Sequence, residues 1–371
     1  MKISLLTILC FYSFLTAYSQ FPARKFSVGF DAKECDELLA LNVAFSDTTK
    51  GDNFNGFQSG YKFLYRSQNI GLDNAWDLWV REDSTIVILL RGTTADPKSI
   101  LADFYCAMMP AKGQVKLANN KNITYHLADD ERAAVHAGFL IGFSYLSDDI
   151  APKLDSLYKN GYYNYLIAGH SQGGSLCYLI SSWMLHLKKS ERYPLLQIKT
   201  YASAPPKVGN MYFAYDYDNL TRDGWAFSIV NSGDPVPEMP FTTQQVDIDM
   251  NEPNPILDMI KRFDNLPFFK RIMLKRAFRK MIKYSTKSSK SYQKYLGGYA
   301  GGVMNSMLPE LQLPEAVNTT YFVRPGIPIT LLVNNRYFDY FKVNDGAYYH
   351  HGITPYRFLL RQYYEGLTTL K

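Results

Sequence analysis

The chain has 371 residues, of which 47% are apolar and 20% charged. That balance excludes a mainly disordered protein and supports a core of substantial size. Forty Lys and Arg against 34 Asp and Glu leave a net charge of +6, too mild an excess for a chain-wide nucleic-acid surface, and four cysteines are too few for a disulfide scaffold.

Residues 1–19 read as a secretory signal peptide. Met1-Lys2 give a short positive start, Ile3 to Ala17 are mostly apolar, and Ala17-Tyr18-Ser19 has the small-x-small form of a cleavage site before Gln20. The apolar run is shorter than the ~20 residues that span a bilayer. The expected product is a secreted or periplasmic chain, residues 20–371, folded as one domain. Export permits a disulfide. Cys177 falls on a predicted helix, so the expectation is either a Cys35–Cys106 pair or an unpaired, inert set.

Short apolar runs then alternate with helical patterns. Ile86 to Leu90 is a β-branched strand run that ends at Arg91-Gly92. Val135 to Asn160 has helical spacing. Tyr163 to Ala168 is a second strand, and Gln172 to Lys188 is a helix with Leu176, Leu179, Ile180, Trp183 and Leu187 on one face. Ile198–Ala202, Ala226–Val230 and Ile329–Val333 are three more strands. Such alternation predicts an α/β fold with a mostly parallel central sheet flanked by helices.

One stretch stands apart. Lys261 to Lys294 holds twelve basic residues and the single acid Asp264. It therefore carries +11, and the rest of the chain −5. Phe268, Phe269, Ile272, Met273, Ala277, Phe278, Met281 and Ile282 recur between the basic pairs. This predicts a basic amphipathic helix, by default a solvated surface helix and, as the functional alternative, one that docks on an anionic membrane surface.

Gly169-His170-Ser171-Gln172-Gly173 matches G-x-S-x-G. A strand precedes it and a long helix follows, the context in which a serine on a sharp strand-to-helix turn exposes its hydroxyl as a nucleophile. By composition a chain of this length gives about 0.1 chance matches. In such folds the acid and then the histidine follow the serine. Three histidines do so here: His186, His350 and His351. His186 lies roughly 22 Å along the helix that begins at the nucleophile, out of reach. His350 and His351 both remain. Asp234 is the acid that sits just beyond a convincing strand, where functional residues of open α/β sheets gather. Arg91-Gly92-Thr93-Thr94 follows another strand. The backbone N–H and hydroxyl of Thr93, with the N–H of Gln172, are candidate oxyanion donors.

Together these segments resemble the class 3 (fungal-type) lipases of the α/β-hydrolase fold. The resemblance runs roughly from Ile86 to Tyr356, apart from the basic stretch. Leu90-Arg91-Gly92-Thr93 is similar to the family's oxyanion strand, with Leu for the usual aromatic residue. Asp103-Phe104 resembles the Asp-Leu pair that follows. Val135-His136-Ala137-Gly138-Phe139 is similar to Val-His-x-Gly-Phe, and Gly169 to Gly174 to the nucleophile turn. Ala204 to Asn210 resembles Gly-x-Pro-Arg-Val-Gly-Asn, and Val230 to Pro237 resembles the segment that carries the catalytic aspartate. His351-Gly352-Ile353-Thr354-Pro355-Tyr356 is similar to the family's His-x-x-x-x-Tyr ending and favours His351 over His350. Two features depart from the pattern. The tryptophan after the oxyanion turn is replaced by Ser99, Ile100 and Leu101, and about 250–316 forms a basic helical insertion before the catalytic histidine. The resemblance implies a serine ester hydrolase with the triad Ser171, Asp234 and His351, acting on lipid or other acyl esters through an acyl-enzyme. No cofactor, metal or nucleic acid is expected, and no Cys/His cluster has zinc spacing. An esterase for small soluble esters, a peptidase, or a non-catalytic membrane-binding protein on the same fold would share much of this pattern.

Overall fold

The computed structural model describes residues 25–46, 60–342, 346 and 348–364; the expected signal segment 1–19 lies outside them. In chain order, helix α1 (Ala32–Ser46) leads into strands β1 (Tyr61–Arg66), β2 (Trp76–Arg81) and β3 (Ile86–Leu90). Helix α2 (Pro97–Phe104) follows, then the short strands β4 (Met108–Pro110), β5 (Lys112–Lys116), β6 (Asn122–His126) and β7 (Ala134–His136). The second half alternates: α3 (Ala137–Lys159), β8 (Asn164–His170), α4 (Gln172–Lys189), β9 (Gln197–Ser203), α5 (Met211–Leu220) and β10 (Ala226–Asn231). Helices α6 (Pro255–Arg262), α7 (Phe268–Tyr292) and α8 (Ala300–Met307) precede β11 (Ile327–Leu331), α9 (Asn335–Tyr340) and α10 (Ile353–Tyr363).

Seven strands form the main sheet in the order β1-β2-β3-β8-β9-β10-β11. The first three are antiparallel and the last five parallel. All five residues of β3 are buried, which explains why this strand reads as an unbroken apolar run. Ile86, Ile88 and Leu90 join a core with Phe139, Phe143, Leu176 and Leu179 from α3 and α4. Val87 and Leu89 point the other way, into a core with Leu38, Leu41, Leu359 and Leu360 from α1 and α10. The period of two thus feeds two cores, one on each face. This is the α/β-hydrolase arrangement of a mostly parallel sheet covered on both sides.

Two expectations change. The basic stretch is not one helix. Proline has no N–H and its ring clashes with a preceding turn, so a helix cannot run through Pro267; α6 ends before it and α7 starts just after it. The chain continues from α7 through a π-helical turn, Gln293–Tyr299, into α8. Among the residues of α7 only Ser289 and Tyr292 are buried. The helix is therefore anchored at its C-terminal end and stands away from the body along most of its length. Of the two cysteine expectations, the unpaired set holds and the Cys35–Cys106 pair does not: Cys35, Cys106 and Cys177 are all free and buried. Cys35 belongs to the α1 core and Cys106 to a separate small cluster with Tyr292 and Phe322, so the two are buried in different cores. Among the described residues no helix is long and apolar enough to cross a membrane.

Candidate active site

Strand β8 delivers Ser171 to the edge of the parallel sheet, and α4 starts at once. The turn is tight enough to force Ser171 to φ 62° and ψ −130°, a region that a residue with a Cβ seldom occupies. Its backbone N–H donates to Ser203 O at 2.9 Å, on neighbouring β9. A Cβ on Gly173 would meet Leu90 O at 2.3 Å, so only glycine lets α4 pass the end of β3. Gly92 has a similar task. A Cβ there would lie 2.8 Å from His170 O and 3.4 Å from Ser171 Cβ. Its absence brings the Arg91–Thr94 turn against the serine.

Ser171 and the two partners expected for it meet beyond the strand ends. His351 Nδ1 donates to Asp234 Oδ2 at 2.8 Å. With that nitrogen protonated, His351 Nε2 accepts from Ser171 Oγ, also at 2.8 Å. The carboxylate of Asp234 is buried and fully engaged: Val236 N donates to Oδ1 at 2.9 Å, and Tyr356 OH to Oδ2 at 2.6 Å. His350, the rejected neighbour, points elsewhere. Its Nδ1 accepts from Tyr337 OH at 2.7 Å, and its carbonyl accepts from Asn231 Nδ2 at 3.1 Å.

Several contributors were not visible as such in the sequence. His170 Nε2 donates to the carbonyl of His351 at 2.7 Å, and Ser203 Oγ donates to His170 Nδ1 at 3.0 Å. Burial, with the nearby charge of His351, pulls the His170 ring down to about 3. It is therefore a neutral strut that holds the backbone of His351. Asn231 closes the other side. Its Oδ1 accepts from Gly233 N at 2.9 Å while Nδ2 reaches the His350 carbonyl, which ties the end of β10 to the histidine loop. The signal for both was present in the motifs, as the His of the nucleophile turn and the Asn three residues before Asp234, but it carried no contact information.

The expected oxyanion donors, Thr93 and Gln172, flank Asp103. Thr93 Oγ1 donates to Asp103 Oδ2 at 2.9 Å, and Gln172 Nε2 to Oδ1 at 2.8 Å. Gln172 also donates to Ser99 O at 3.1 Å and accepts from Asn74 Nδ2 at 3.3 Å. Both side chains thus bind α2 to the nucleophile turn. The Thr93 hydroxyl, expected to face an oxyanion, is here committed to a carboxylate, so the backbone N–H groups of Thr93 and Gln172 are the candidate donors. Burial pushes the Asp103 carboxyl up to about 6, against the pull of Gln172, Thr93 and His351.

A cleft of about 1060 Å³ opens over Ser171 and His351. Thr93, Ile100, Phe104 and Met239 are among its walls, and the last three are apolar side chains more than a third exposed. Such a site suits an acyl chain better than a polar ligand.

The model of the family described as Lipase (class 3) matches residues 87–244, the stretch that holds β3, the nucleophile turn and Asp234. This segment belongs to the class 3 lipases. The match spans less than half of the chain and supports a hydrolase acting on esters. Solved structures of similar fold include the Lip2 lipase of Yarrowia lipolytica, at 23% identity and TM-score 0.44, with 59% of this chain and 79% of that chain covered. A Rhizomucor miehei lipase–propeptide complex is 19% identical, with 59% and 67% covered and a TM-score of 0.41. The lipase of Rhizopus microsporus var. chinensis is 22% identical, with 60% and 75% covered and a TM-score of 0.40. No curated protein matches.

Proposed function

We propose that this class 3 lipase homologue is an exported lipase that cleaves acylglycerol or phospholipid esters through an acyl-enzyme on Ser171. The observation that carries the reading is the continuous chain from Ser171 Oγ through His351 to Asp234, with 2.8 Å at each step, at the floor of an apolar cleft. Ser171 Oγ attacks the ester carbonyl as its proton passes to His351 Nε2. The carbonyl oxygen becomes an oxyanion facing the N–H groups of Thr93 and Gln172. The C–O bond to the alcohol then breaks, and the alkoxide takes the proton from His351. Water, deprotonated by the same nitrogen, attacks the acyl carbonyl; the bond to Ser171 Oγ breaks, Oγ takes the proton back from His351 Nε2, and the fatty acid leaves. Asp234 keeps Nδ1 protonated and balances the imidazolium. A neutral His170 adds no positive charge beside it. No step needs a metal or organic cofactor.

Export is proposed from residues 1–19 alone, and the single mature domain from residues 20–371. The insertion supports work at a lipid surface. Tyr292, at the anchored end of α7, packs its ring 4.7 Å from Phe241, next to Met239 and Pro240 on the cleft rim. Helix α8 packs on α2, the opposite rim. The exposed face of α7 carries Phe269, Met273 and Met281 at 84%, 65% and 65% exposure among its basic residues. A helix of that composition docks on an anionic headgroup layer, and its root adjoins the cleft.

A panel of acyl esters of graded chain length, assayed through the solubility limit of each, tests the substrate class. The lipase reading expects rates to climb once long-chain ester forms an interface. Saturation on monomeric short esters, with no gain beyond the limit, would mark a soluble-ester esterase instead.

A further inference from the structure

The end of α4 remote from Ser171 carries a second cluster of titratable groups. His126 closes β6, Asp129 lies in the loop beyond it, His186 is on the last turns of α4, and Asp216 is on α5. The two imidazole rings stack with centroids 4.2 Å apart and planes 17° from parallel. His126 Nε2 is shielded from solvent and has no well-directed hydrogen bond, although it lies 2.8 Å from Asp129 Oδ1. His186 Nδ1 is 3.9 Å from the same oxygen. Its other nitrogen, Nε2, faces Asp216 Oδ2 at 3.2 Å, and Asp216 Oδ1 accepts from Asp129 N at 3.2 Å.

We propose that His126 Nε2, His186 Nδ1 and Asp129 Oδ1 form a zinc site, with Asp216 as the outer carboxylate that orients it. Two imidazoles and one carboxylate are a donor set that zinc accepts, with water in the fourth position. The atoms lie within 4.8 Å of one another, and side-chain rotations that unstack the two rings would turn both in-plane lone pairs onto one ion. Asp216 supplies the feature that separates a metal site from a chance ion-pair cluster. By accepting from His186 Nε2 it fixes the tautomer that leaves Nδ1 as a ligand, and by accepting from Asp129 N it fixes the loop that carries the third ligand. Lys189 pairs with Asp129 Oδ2 and leaves Oδ1 to face the two rings. Lys189 also adds a positive charge beside the ion, which the second carboxylate of Asp216 balances. The four residues come from β6, its following loop, α4 and α5, so a bound ion would staple the β5–β6 hairpin to two helices. At roughly 22 Å from Ser171 along α4, it would stabilise without taking part in ester cleavage. Sequence spacing gives no sign of the site, because its ligands are brought together only by the fold.

Chelator-treated full-length protein titrated with Zn2+ alone, and separately with Co2+ alone, tests this by calorimetry, thermal melting and cobalt absorption. The expected result is one ion per chain, a raised melting temperature, cobalt d–d bands and unchanged turnover of a short soluble ester. Asp216→Asn should weaken binding by about 10–100-fold, and His126→Ala, on the partly exposed ligand, by at least as much. Metal-free melting of each variant shows whether it folds. No stoichiometric binding by the unaltered protein, or binding and cobalt bands retained in folded His126→Ala, would overturn the site.

Discussion

His350 and His351 are neighbours in sequence and part company in space. His351 reaches the cleft between Ser171 and Asp234, whereas His350 is buried against Tyr337. Replacing each with alanine should therefore give opposite signatures. His351→Ala is expected to lower kcat for ester hydrolysis about as much as loss of the nucleophile, by up to roughly 10⁶-fold, with little change in melting temperature, since triad members act as a unit. His350→Ala removes a buried hydrogen-bonded ring and should cost about 1–3 kcal/mol of stability, with kcat changed far less. Steady-state kinetics and thermal melts on both variants check this, and the reverse ordering would mean the proton carrier has been misassigned. At this scale the sequence made Ser171 and Asp234 legible, because a strand end and a turn motif mark each. The choice between adjacent histidines rested on spacing to Tyr356, and that tyrosine turns out to donate to Asp234. The roles of His170 and Asn231 were illegible because each acts through a backbone carbonyl more than 100 residues away. No local pattern records such a pairing.

Among the elements, those with both faces buried were read best. β3, β8 and α4 lie within a residue or two of the expected bounds, since their apolar runs have a single interpretation. The edges were read worst. β11 was expected over Ile329–Val333 and lies at Ile327–Leu331; most of its side chains are not buried, so hydrophobicity does not fix its limits. β1 and β2 were not assigned. Pro267, which divides α6 from α7, is masked in the sequence by the charge pattern that runs across it. Helix α7, roughly 37 Å long and free along most of its length, is the element whose function charge reversal can isolate. Arg276, Arg279, Lys280 and Lys283 suit this test better than Lys275, which pairs with Asp264 at 2.6 Å. Changing all four to Glu should weaken binding to anionic vesicles, since each basic residue near such a surface contributes about 1 kcal/mol. Hydrolysis at the vesicle surface should fall with it, and high salt should narrow the gap between the two proteins. Turnover of a soluble short ester should hold. Co-sedimentation at low salt decides the matter: equal binding by both proteins would leave α7 a solvated arm.

On the scale of the whole molecule, burial of ionisable groups sets how stability responds to acid. Burial lowers His136 and His170 to about 3 each, while in the unfolded chain such rings take up a proton near about 6.5. Between those values the unfolded state binds more protons, so both rings make the fold less stable as pH falls through that window. Asp103, raised to about 6, acts with the opposite sign: its folded form is protonated first, which offsets part of the loss between about 6 and its unfolded value near 4. A variant isolates one ring. His136 caps α3 by accepting from Phe139 N, and asparagine can keep that cap. His136→Asn should flatten the dependence of unfolding free energy on pH between 6 and 4 by up to about 1.4 kcal/mol per pH unit. Denaturant titrations across that range measure it, and an unchanged slope would mean the ring is already protonated in the fold. Ester hydrolysis through an acyl-enzyme, as proposed, depends on a single reactive oxygen, Ser171 Oγ. Incubation of the folded protein with an alkyl phosphonate ester, followed by peptide mass spectrometry, reads that oxygen directly. The expected result is one phosphonyl group per chain, on Ser171, appearing in step with loss of ester hydrolysis and absent from His351→Ala. Hydrolysis that persists while Ser171 is fully modified, or folded protein that hydrolyses esters and leaves Ser171 unlabelled, would contradict it.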